Sequence, residues 1–204
     1  MCIRDSVCTY RNVGGKARDF PFSLGSYVDV LTQATTTPLL LMPSPDANGR
    51  LPEHCQRASR IMVLTDHLTG SDAIINYGLH FCETDGDLVL AHLEDDVAFD
   101  RYIDIISKIP ALDTDIARER IYERLLQEPE DYIKSVQSAL SDNNDVNILN
   151  EVSMGHRIAD CQRLIEKYEI DLLVMNTKDD DQLAMHGLAY PLAIELRNCP
   201  ILMF

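Results

Sequence analysis

The side chains that could carry chemistry are scattered along this chain rather than grouped in a known catalytic pattern. The six His and six Cys include no Cys-x-x-Cys pair and no spacing typical of zinc ligands. The sequence also has no Gly-x-Ser-x-Gly elbow and no Walker phosphate loop. Three consecutive carboxylates, Asp179 to Asp181, could bind a divalent ion, but such a run is more often a solvated loop. A metal centre or a hydrolase site is therefore not expected.

Composition narrows the class of protein further. Hydrophobic residues make up 46% of the chain, which is enough for a packed core. The formal net charge of -15 disfavours binding to nucleic acid or to an anionic membrane, and no apolar run approaches the ~18 residues of a membrane span. Cys82, Cys161 and Cys199 lie among apolar residues and are predicted to be buried free thiols in a reducing cytosol.

Two stretches of the chain repeat each other. Residues 25–42 run from a glycine through a helix-like segment to a proline and an apolar strand. Residues 187–204 follow the same plan, and Pro38 and Pro200 each stand thirteen positions after the glycine that opens their stretch. An internal repeat of this kind predicts two similar domains in tandem.

The repeat and the local composition suggest four segments. Residues 1–6 are those that a sequencing-library adapter would encode, and we interpret them as an artefact to be excluded from fold reasoning. Residues 7–43 are then the C-terminal remnant of a first domain, most of which is missing. The stretch 44–58 is rich in turn residues and is interpreted as a linker. Residues 59–204 are predicted to form a complete domain.

The complete domain alternates apolar runs with helical patterns. Short continuous apolar runs predict strands buried on both faces of a parallel sheet, at 61–64, 88–91, 146–152, 170–175 and 200–204. Helical periodicity is present at 71–82, at 158–168 and in a polar stretch from 99 to 140, which Pro110 and Pro129 are expected to interrupt. This alternation predicts an α/β fold with a doubly wound, Rossmann-like, five-stranded parallel sheet.

The order of these strands and helices, with the residues that connect them, resembles the universal stress protein (UspA-like) family. The matching features are Asp66 closing the first strand, Gly70 and Ser71 opening the first helix, and Val152 and Gly155 after the third strand. The last two strands also match, at 171–175 and 199–202. The resemblance covers 59–204 as one domain and about 7–43 as the end of another. It implies the fold of the adenine-nucleotide alpha hydrolases, a cytoplasmic location, dimers and, in one subgroup, ATP binding with at most weak ATPase activity.

The ATP-binding subgroup carries a loop of the form Gly-x2-Gly-x9-Gly-Ser/Thr after its fourth strand. Backbone N–H groups of such a loop approach phosphate oxygens closely, in conformations that a Cβ atom forbids. The first-domain remnant keeps Gly15, Gly25 and the hydroxyl residue Ser26 in this pattern, whereas Asn12 replaces the first glycine. The segment is either a phosphate loop, vestigial or real, or an ordinary glycine-containing loop.

The second domain departs from the same pattern. Asp66, Val152, Gly155 and Gly187 correspond to site positions of the family, and Asp66 would face the adenine side of the pocket. The first two loop glycines are missing, however, and the carboxylates of Asp179–Asp181 stand where a triphosphate would lie. Each carboxylate–phosphate pair near 4 Å costs about 1 kcal/mol in water and about 4 kcal/mol at an effective dielectric constant of 20. We expect a degenerate nucleotide site.

The sequence therefore predicts a non-catalytic regulatory and dimerisation module of the stress response. It is expected to need no cofactor, although ATP binding by the full-length protein is possible, and its protein partners are not specified by any motif. One alternative is a nucleotide-binding switch that uses the first-domain loop or a metal-assisted second-domain site. Another is the cytoplasmic regulatory tail of a transporter.

The fifth strands suggest how such a module associates. Residues 200–204 form an apolar strand that would lie at the edge of the domain, and residues 39–42 have the same character in the first-domain remnant. An exposed apolar edge favours pairing with another strand. We expect the two strands to pair with each other as an internal pseudo-dimer, with pairing between chains as the alternative.

Overall fold

The computed structural model describes residues 6–11, 22–65, 72–140, 145–177, 185 and 187–204. Within these residues the chain forms one seven-stranded sheet in the order β1-β2-β7-β6-β3-β4-β5. The strands are β1 (Val7–Tyr10), β2 (Leu39–Met42), β3 (Arg60–Thr65), β4 (Asp87–Asp95), β5 (Asn147–Gly155), β6 (Leu172–Met175) and β7 (Ile201–Met203). The helices are α1 (Ser26–Ala34), α2 (Asp72–Phe81), α3 (Asp96–Ile106), α4 (Thr114–Leu140), α5 (Arg157–Tyr168) and α6 (Ala189–Glu195).

The five strands from β3 to β7 are parallel and confirm the predicted doubly wound sheet. The chain moves outward from β3 through β4 to β5, then returns to the other side of β3 with β6 and β7. Strands β3, β6 and β7 are short apolar runs, as expected where helices cover both faces of a sheet, whereas the edge strand β5 is longer and partly polar. In β3, the side chains of Ile61, Met62 and Val63 are fully buried.

Alternate residues of the strands pack into two separate hydrophobic cores. Met62 and Leu64 pack in a core that includes residues of α1, α5 and α6, whereas Ile61 and Val63 pack in a core that includes residues of α2 and α4. Because successive side chains of a strand point to opposite faces, this alternation shows helices on both sides of the sheet. The helix–sheet fit is close at Gly78 of α2, where an added Cβ would lie 2.6 Å from Val63 Cγ2.

The N-terminal strands extend this sheet beyond β7. Strand β1 pairs parallel with β2, and β2 pairs antiparallel with β7. The register joins Leu39 to Met203, Leu40 to Leu202 and Leu41 to Ile201. The two apolar strands at 39–42 and 201–203 therefore pair within the chain, as the sequence predicts.

Some local predictions are wrong. Pro129 does not interrupt a helix, because α4 runs through it from Thr114 to Leu140. The residues after this proline are held against the sheet by the fully buried Ile133, and such packing can offset the cost of about 3 kcal/mol for an internal proline. Pro110 does separate α3 from α4, and Asp113 begins α4 by accepting hydrogen bonds from the N–H groups of Asp115 and Ile116.

The third strand of the parallel sheet also differs from the sequence analysis. Strand β5 is longer than predicted and ends at Gly155, so Val152 and Gly155 lie within the third strand of the domain rather than after it. A longer strand is possible because β5 pairs with β4 along its whole length, from Asn147 to Gly155. The segment 44–58 contains a short 3-10 helix, Glu53–Gln56.

Candidate functional site

The candidate site of a doubly wound sheet lies where the strand order reverses. In such sheets, ligands bind outside the carboxyl ends of the strands at this switch point, which here lies between β3 and β6. The predicted site residue Asp66, the carboxylates Asp179–Asp181 and the first-domain Gly15 fall outside the described residues. The described part of the site consists of the ends of β3, β4, β5 and β6, together with Gly187.

A buried polar cluster lies at the end of β3 and β4. The Thr65 hydroxyl donates to the carbonyl of Ala91 at 3.1 Å and lies 3.4 Å from His92 Nδ1, while His92 Nε2 lies 2.8 Å from Glu94 Oε1. The imidazole is almost completely buried, with 1% of His92 exposed. Both ring nitrogens are thus occupied by protein groups, which leaves neither available to coordinate a metal.

The end of β5 carries the next two predicted residues. Val152 pairs with His92 across the β4–β5 ladder, and Gly155 pairs with Asp95. An added Cβ at Gly155 would lie 2.3 Å from Asp160 Oδ2, which is the end of a side chain that can move. His156 follows as the N-cap of α5 and accepts from the N–H group of Ala159 at 3.5 Å. Asp95, likewise, caps α3 by accepting from Val97 and Ala98. These polar groups hold helix ends in place.

The two repeat glycines occupy different environments. A Cβ atom added at Gly187 would have no other atom within 4 Å, so packing does not require a glycine at this position. Gly25 precedes α1 with φ 97° and ψ 148°, a region of the backbone map that is essentially restricted to glycine. Ser26 is the first residue of α1, whose N-terminus has no side-chain cap. The start of α1 therefore has the local geometry of a helix N-terminus that can receive an anion.

Arg11, at the end of β1, was not anticipated from the sequence. Its side chain is buried and donates through Nη1 to the carbonyl of Ala193, in the last turn of α6. Within the described part of the chain, Nε and Nη2 of Arg11 find no hydrogen-bond acceptor. Desolvation lowers the pKa of Arg11 to about 10, and the charge of Arg197 adds to this effect. The positive charge of Arg11 lies at the negative end of the α6 dipole, and the hydrogen bond joins the end of β1 to α6.

Asp171 lies at the opposite, amino-terminal edge of the sheet. Its Oδ2 atom accepts hydrogen bonds from the backbone N–H groups of Ser59 and Arg60 and from the Ser59 hydroxyl, at 3.0 to 3.2 Å. The carboxylate is buried but fully used in joining β6 to the start of β3. It is a structural group.

The predicted buried thiols and the possible metal ligands were compared with the structure. Cys161 and Cys199 are buried, as predicted, and burial raises the pKa of each thiol to about 12. Cys82 is only half-buried, contrary to the prediction, because it follows the last turn of α2 at the surface. Among the residues that the structure describes, no group of three or more His, Cys, Asp or Glu side chains could hold a metal ion.

The arrangement defines a doubly wound α/β protein with a candidate site at the β3–β6 switch point. Among solved structures, it is similar to a universal stress protein from Archaeoglobus fulgidus (TM-score 0.57, 10% identity, 98% of this chain and 60% of that chain). It is also similar to UspA from Lactobacillus plantarum (TM-score 0.56, 17% identity, 72% of this chain and 98% of that chain). A putative universal stress protein from Pseudomonas aeruginosa matches with a TM-score of 0.58 and 11% identity, over 98% of this chain and 63% of its own.

The fold of this chain is that of the universal stress proteins, as the sequence predicts. At these identities the likeness is one of fold, and the chain spans about 60% of the length of the longer proteins that it matches. No protein-family model matches the chain, and no curated protein matches it. No helix in the described ranges is both long and apolar enough to cross a membrane.

Proposed function

We propose that this chain is a non-catalytic regulatory module of the universal stress type, located in the cytoplasm, whose second domain has lost useful nucleotide binding. In this proposal, residues 59–204 are a complete domain and residues 7–43 are the C-terminal part of a similar preceding domain. The antiparallel pairing of β2 with β7 is the observation that carries the proposal. It joins the last strands of the two repeats, so the chain makes within itself the contact that two separate domains would make as a dimer.

The coverage of the solved structures supports this organisation. The Lactobacillus plantarum protein matches over nearly its whole length and covers 72% of this chain, which is the share that residues 59–204 occupy. The Archaeoglobus fulgidus protein covers almost all of this chain and continues beyond it. A shorter protein of one domain and a longer one of two domains would give this pair of results.

Loss of nucleotide binding in the second domain is supported by the sequence of its loop. The position of the phosphate loop carries Asp179, Asp180 and Asp181 instead of glycines, and Leu188 replaces the hydroxyl residue. The carboxylates would repel a triphosphate at about 1 kcal/mol or more for each close pair. Leu188 is buried and belongs to the core beneath α6, so it also does not offer a donor to a ligand.

Calorimetric titration of the whole chain with Mg-ATP tests this proposal. We expect no binding with a dissociation constant below about 10 μM, which corresponds to about 7 kcal/mol. A matched variant in which Asp179, Asp180 and Asp181 are replaced by Ser should bind no more weakly than the wild type, since three repulsive charges are removed. Binding of Mg-ATP by the wild type at low micromolar concentration, abolished in this variant, would show a metal-assisted site and contradict the proposal.

A nucleotide-binding switch built on the first repeat is the second candidate. It is favoured by the φ of 97° at Gly25 and by the uncapped start of α1 at Ser26. In a longer protein that completes the first domain, Ser26→Leu should then weaken ATP binding at least tenfold, whereas Thr32→Val, a change at a residue near the end of the same helix, should not. Equal affinity in the wild type and in Ser26→Leu would exclude phosphate binding at this helix.

A further inference from the structure

An acidic groove with an apolar floor lies between α3 and α4, beside the carboxyl ends of β4 and β5. It encloses about 620 Å³, within the range of ordinary ligand sites. Its apolar lining comes from Phe99 on α3, Tyr122 on α4 and Met154 on β5. The rings of Phe99 and Tyr122 meet edge to face, with their centroids 5.9 Å apart. These side chains form a wall of the kind that receives apolar anchors of a partner.

The rim of the groove is strongly acidic. Among the described residues that line it, the carboxylates outnumber the single guanidinium of Arg118 by five to one. The carboxylates belong to Asp96, Asp100, Asp115, Glu119 and Glu123. A rim of this charge attracts cationic groups and repels a second copy of a chain whose net charge is -15.

The contacts of Arg118 indicate that this groove can bind cationic groups. Its guanidinium pairs with Asp100, at 2.5 Å, and its Cζ atom lies 5.3 Å from the centroid of the Phe99 ring. A cation that is held by a carboxylate while lying over an aromatic face gains from both contacts. Of the other rim carboxylates, Glu123 pairs with Arg120 at 4.0 Å, whereas Asp115 and Glu119 make no ion pair with another described residue and can receive cations from another molecule.

The two helices that line the groove and the segment between them expose many large apolar side chains. Of the eleven large hydrophobic side chains that are exposed in the described residues, seven lie between residues 97 and 122. They include Tyr102, Ile105, Leu112 and Ile116, each at least half exposed. Only two residues of α4, Pro129 and Ile133, are buried, and both belong to its second half. The first half of α4 and the facing α3 thus present apolar surface that the fold itself does not use, as interaction surfaces do.

We propose that the α3–α4 groove docks a basic amphipathic segment of another protein. Apolar side chains of that segment enter the space between Phe99, Tyr122 and Met154, and its Lys and Arg side chains pair with the rim carboxylates. Charge complementarity and apolar burial act together, which is how an amphipathic helix binds in a groove. The proposal does not require that the chain bind a nucleotide.

Fluorescence anisotropy with a labelled amphipathic peptide of leucine and lysine tests this proposal. We expect a dissociation constant on the order of 10 μM at low salt, rising with ionic strength. A peptide with serine in place of leucine keeps the charge, and one with glutamate in place of lysine keeps the apolar face. Both should bind at least about tenfold more weakly, because each lacks one of the two required interactions.

Two pairs of variants locate the binding surface. Tyr122→Ser should weaken binding about tenfold, whereas Tyr27→Ser on α1, which is similarly exposed, should not change it. The double charge reversal Glu119→Lys with Glu123→Lys should weaken binding more than the same change of charge at Asp131 and Glu166, outside the groove. Circular dichroism and thermal unfolding should show that all variants fold like the wild type.

Three results would overturn the proposal. One is the absence of binding by the leucine–lysine peptide, and another is equal binding of the serine–lysine peptide, which would indicate charge attraction alone. The third is an equal loss of binding in the groove variants and in their controls. Self-association of the chain that Tyr122→Ser abolishes would instead assign the groove to a second copy and would also count against a basic partner.

Discussion

The two repeats, α1–β2 and α6–β7, share one sequence plan but differ in burial. Helix α6 is largely covered, and Ala189, Leu192 and Ala193 are fully buried. Helix α1 buries Val28 but exposes Tyr27 and Val30, at 59% and 61%. Strand β7 is buried at every residue, whereas β2 alternates between buried and half-buried positions. The difference in burial follows from the neighbouring elements and from composition, because α1 carries Asp29, Thr32 and Gln33 whereas α6 is almost entirely apolar.

The largest expected difference between the repeats concerns their paired strands. Leu202 is fully buried at the centre of β7 and pairs with Leu40, which is only half-buried. Leu202→Lys should lower the free energy of unfolding by more than about 4 kcal/mol, since it buries an unpaired charge. Leu40→Lys should cost only about 1 to 2 kcal/mol, because a lysine there can extend its ammonium group to solvent. Urea denaturation of both variants measures this, and similar losses would mean that β2 is as enclosed as β7.

Substitutions in the two corresponding helices, α6 and α1, should differ less in their effect on the free energy of unfolding. Leu192→Ala in α6 should cost about 2 to 5 kcal/mol, because it leaves a cavity in the core. Val30→Ala in α1 should change stability by less than about 0.5 kcal/mol, since Val30 is exposed and alanine favours helix. Thermal unfolding of the two variants provides the measurement. A loss above about 2 kcal/mol in Val30→Ala would show that α1 is covered in solution, by another molecule or another part of the chain.

Substitution of the glycines that open the two repeats should give the smallest difference in the free energy of unfolding. Gly25→Ala should cost about 1 to 3 kcal/mol, because its φ of 97° is strained for any residue with a Cβ. Gly187→Ala should stay within about 0.5 kcal/mol of the wild type, since an added Cβ meets no atom within 4 Å. Denaturant titrations of both variants test this difference. If Gly25→Ala is as stable as the wild type, the conformation at the start of α1 is not specified by glycine.

Local patterns explain which parts of the fold the sequence predicts. Strands β3, β4 and β6 are readily predicted because each contains a continuous apolar run, and β3 and β4 are followed by helices of the correct period. Strand β1 is missed because Val7–Tyr10 alternates only over four residues and adjoins the segment interpreted as an artefact. The passage of α4 through Pro129 is also missed, because it depends on packing against the sheet that no local signal records.

The site is less predictable than the fold because its polar groups depend on tertiary contacts. His92 interrupts an apolar strand, and a glutamate two residues later on the same face is the only local sign of their hydrogen bond. The burial of Arg11 depends on α6, which lies far along the chain, so no local pattern could indicate it. The local sequence likewise gives no sign of the groove between α3 and α4, because the groove forms only where two helices and β5 meet.

The antiparallel seam between β2 and β7 fixes the relative direction of the two repeats. Because β1 and β2 run opposite to β3–β7, their carboxyl ends lie at the other edge of the same continuous sheet. A ligand at the start of α1 and a ligand at the β3–β6 switch point would thus be on opposite edges, too far apart to touch. Three described connections join the two repeats and could carry communication between these ligands: the three paired residues of the seam, the contact of Arg11 with α6, and the core that α1 shares with α6.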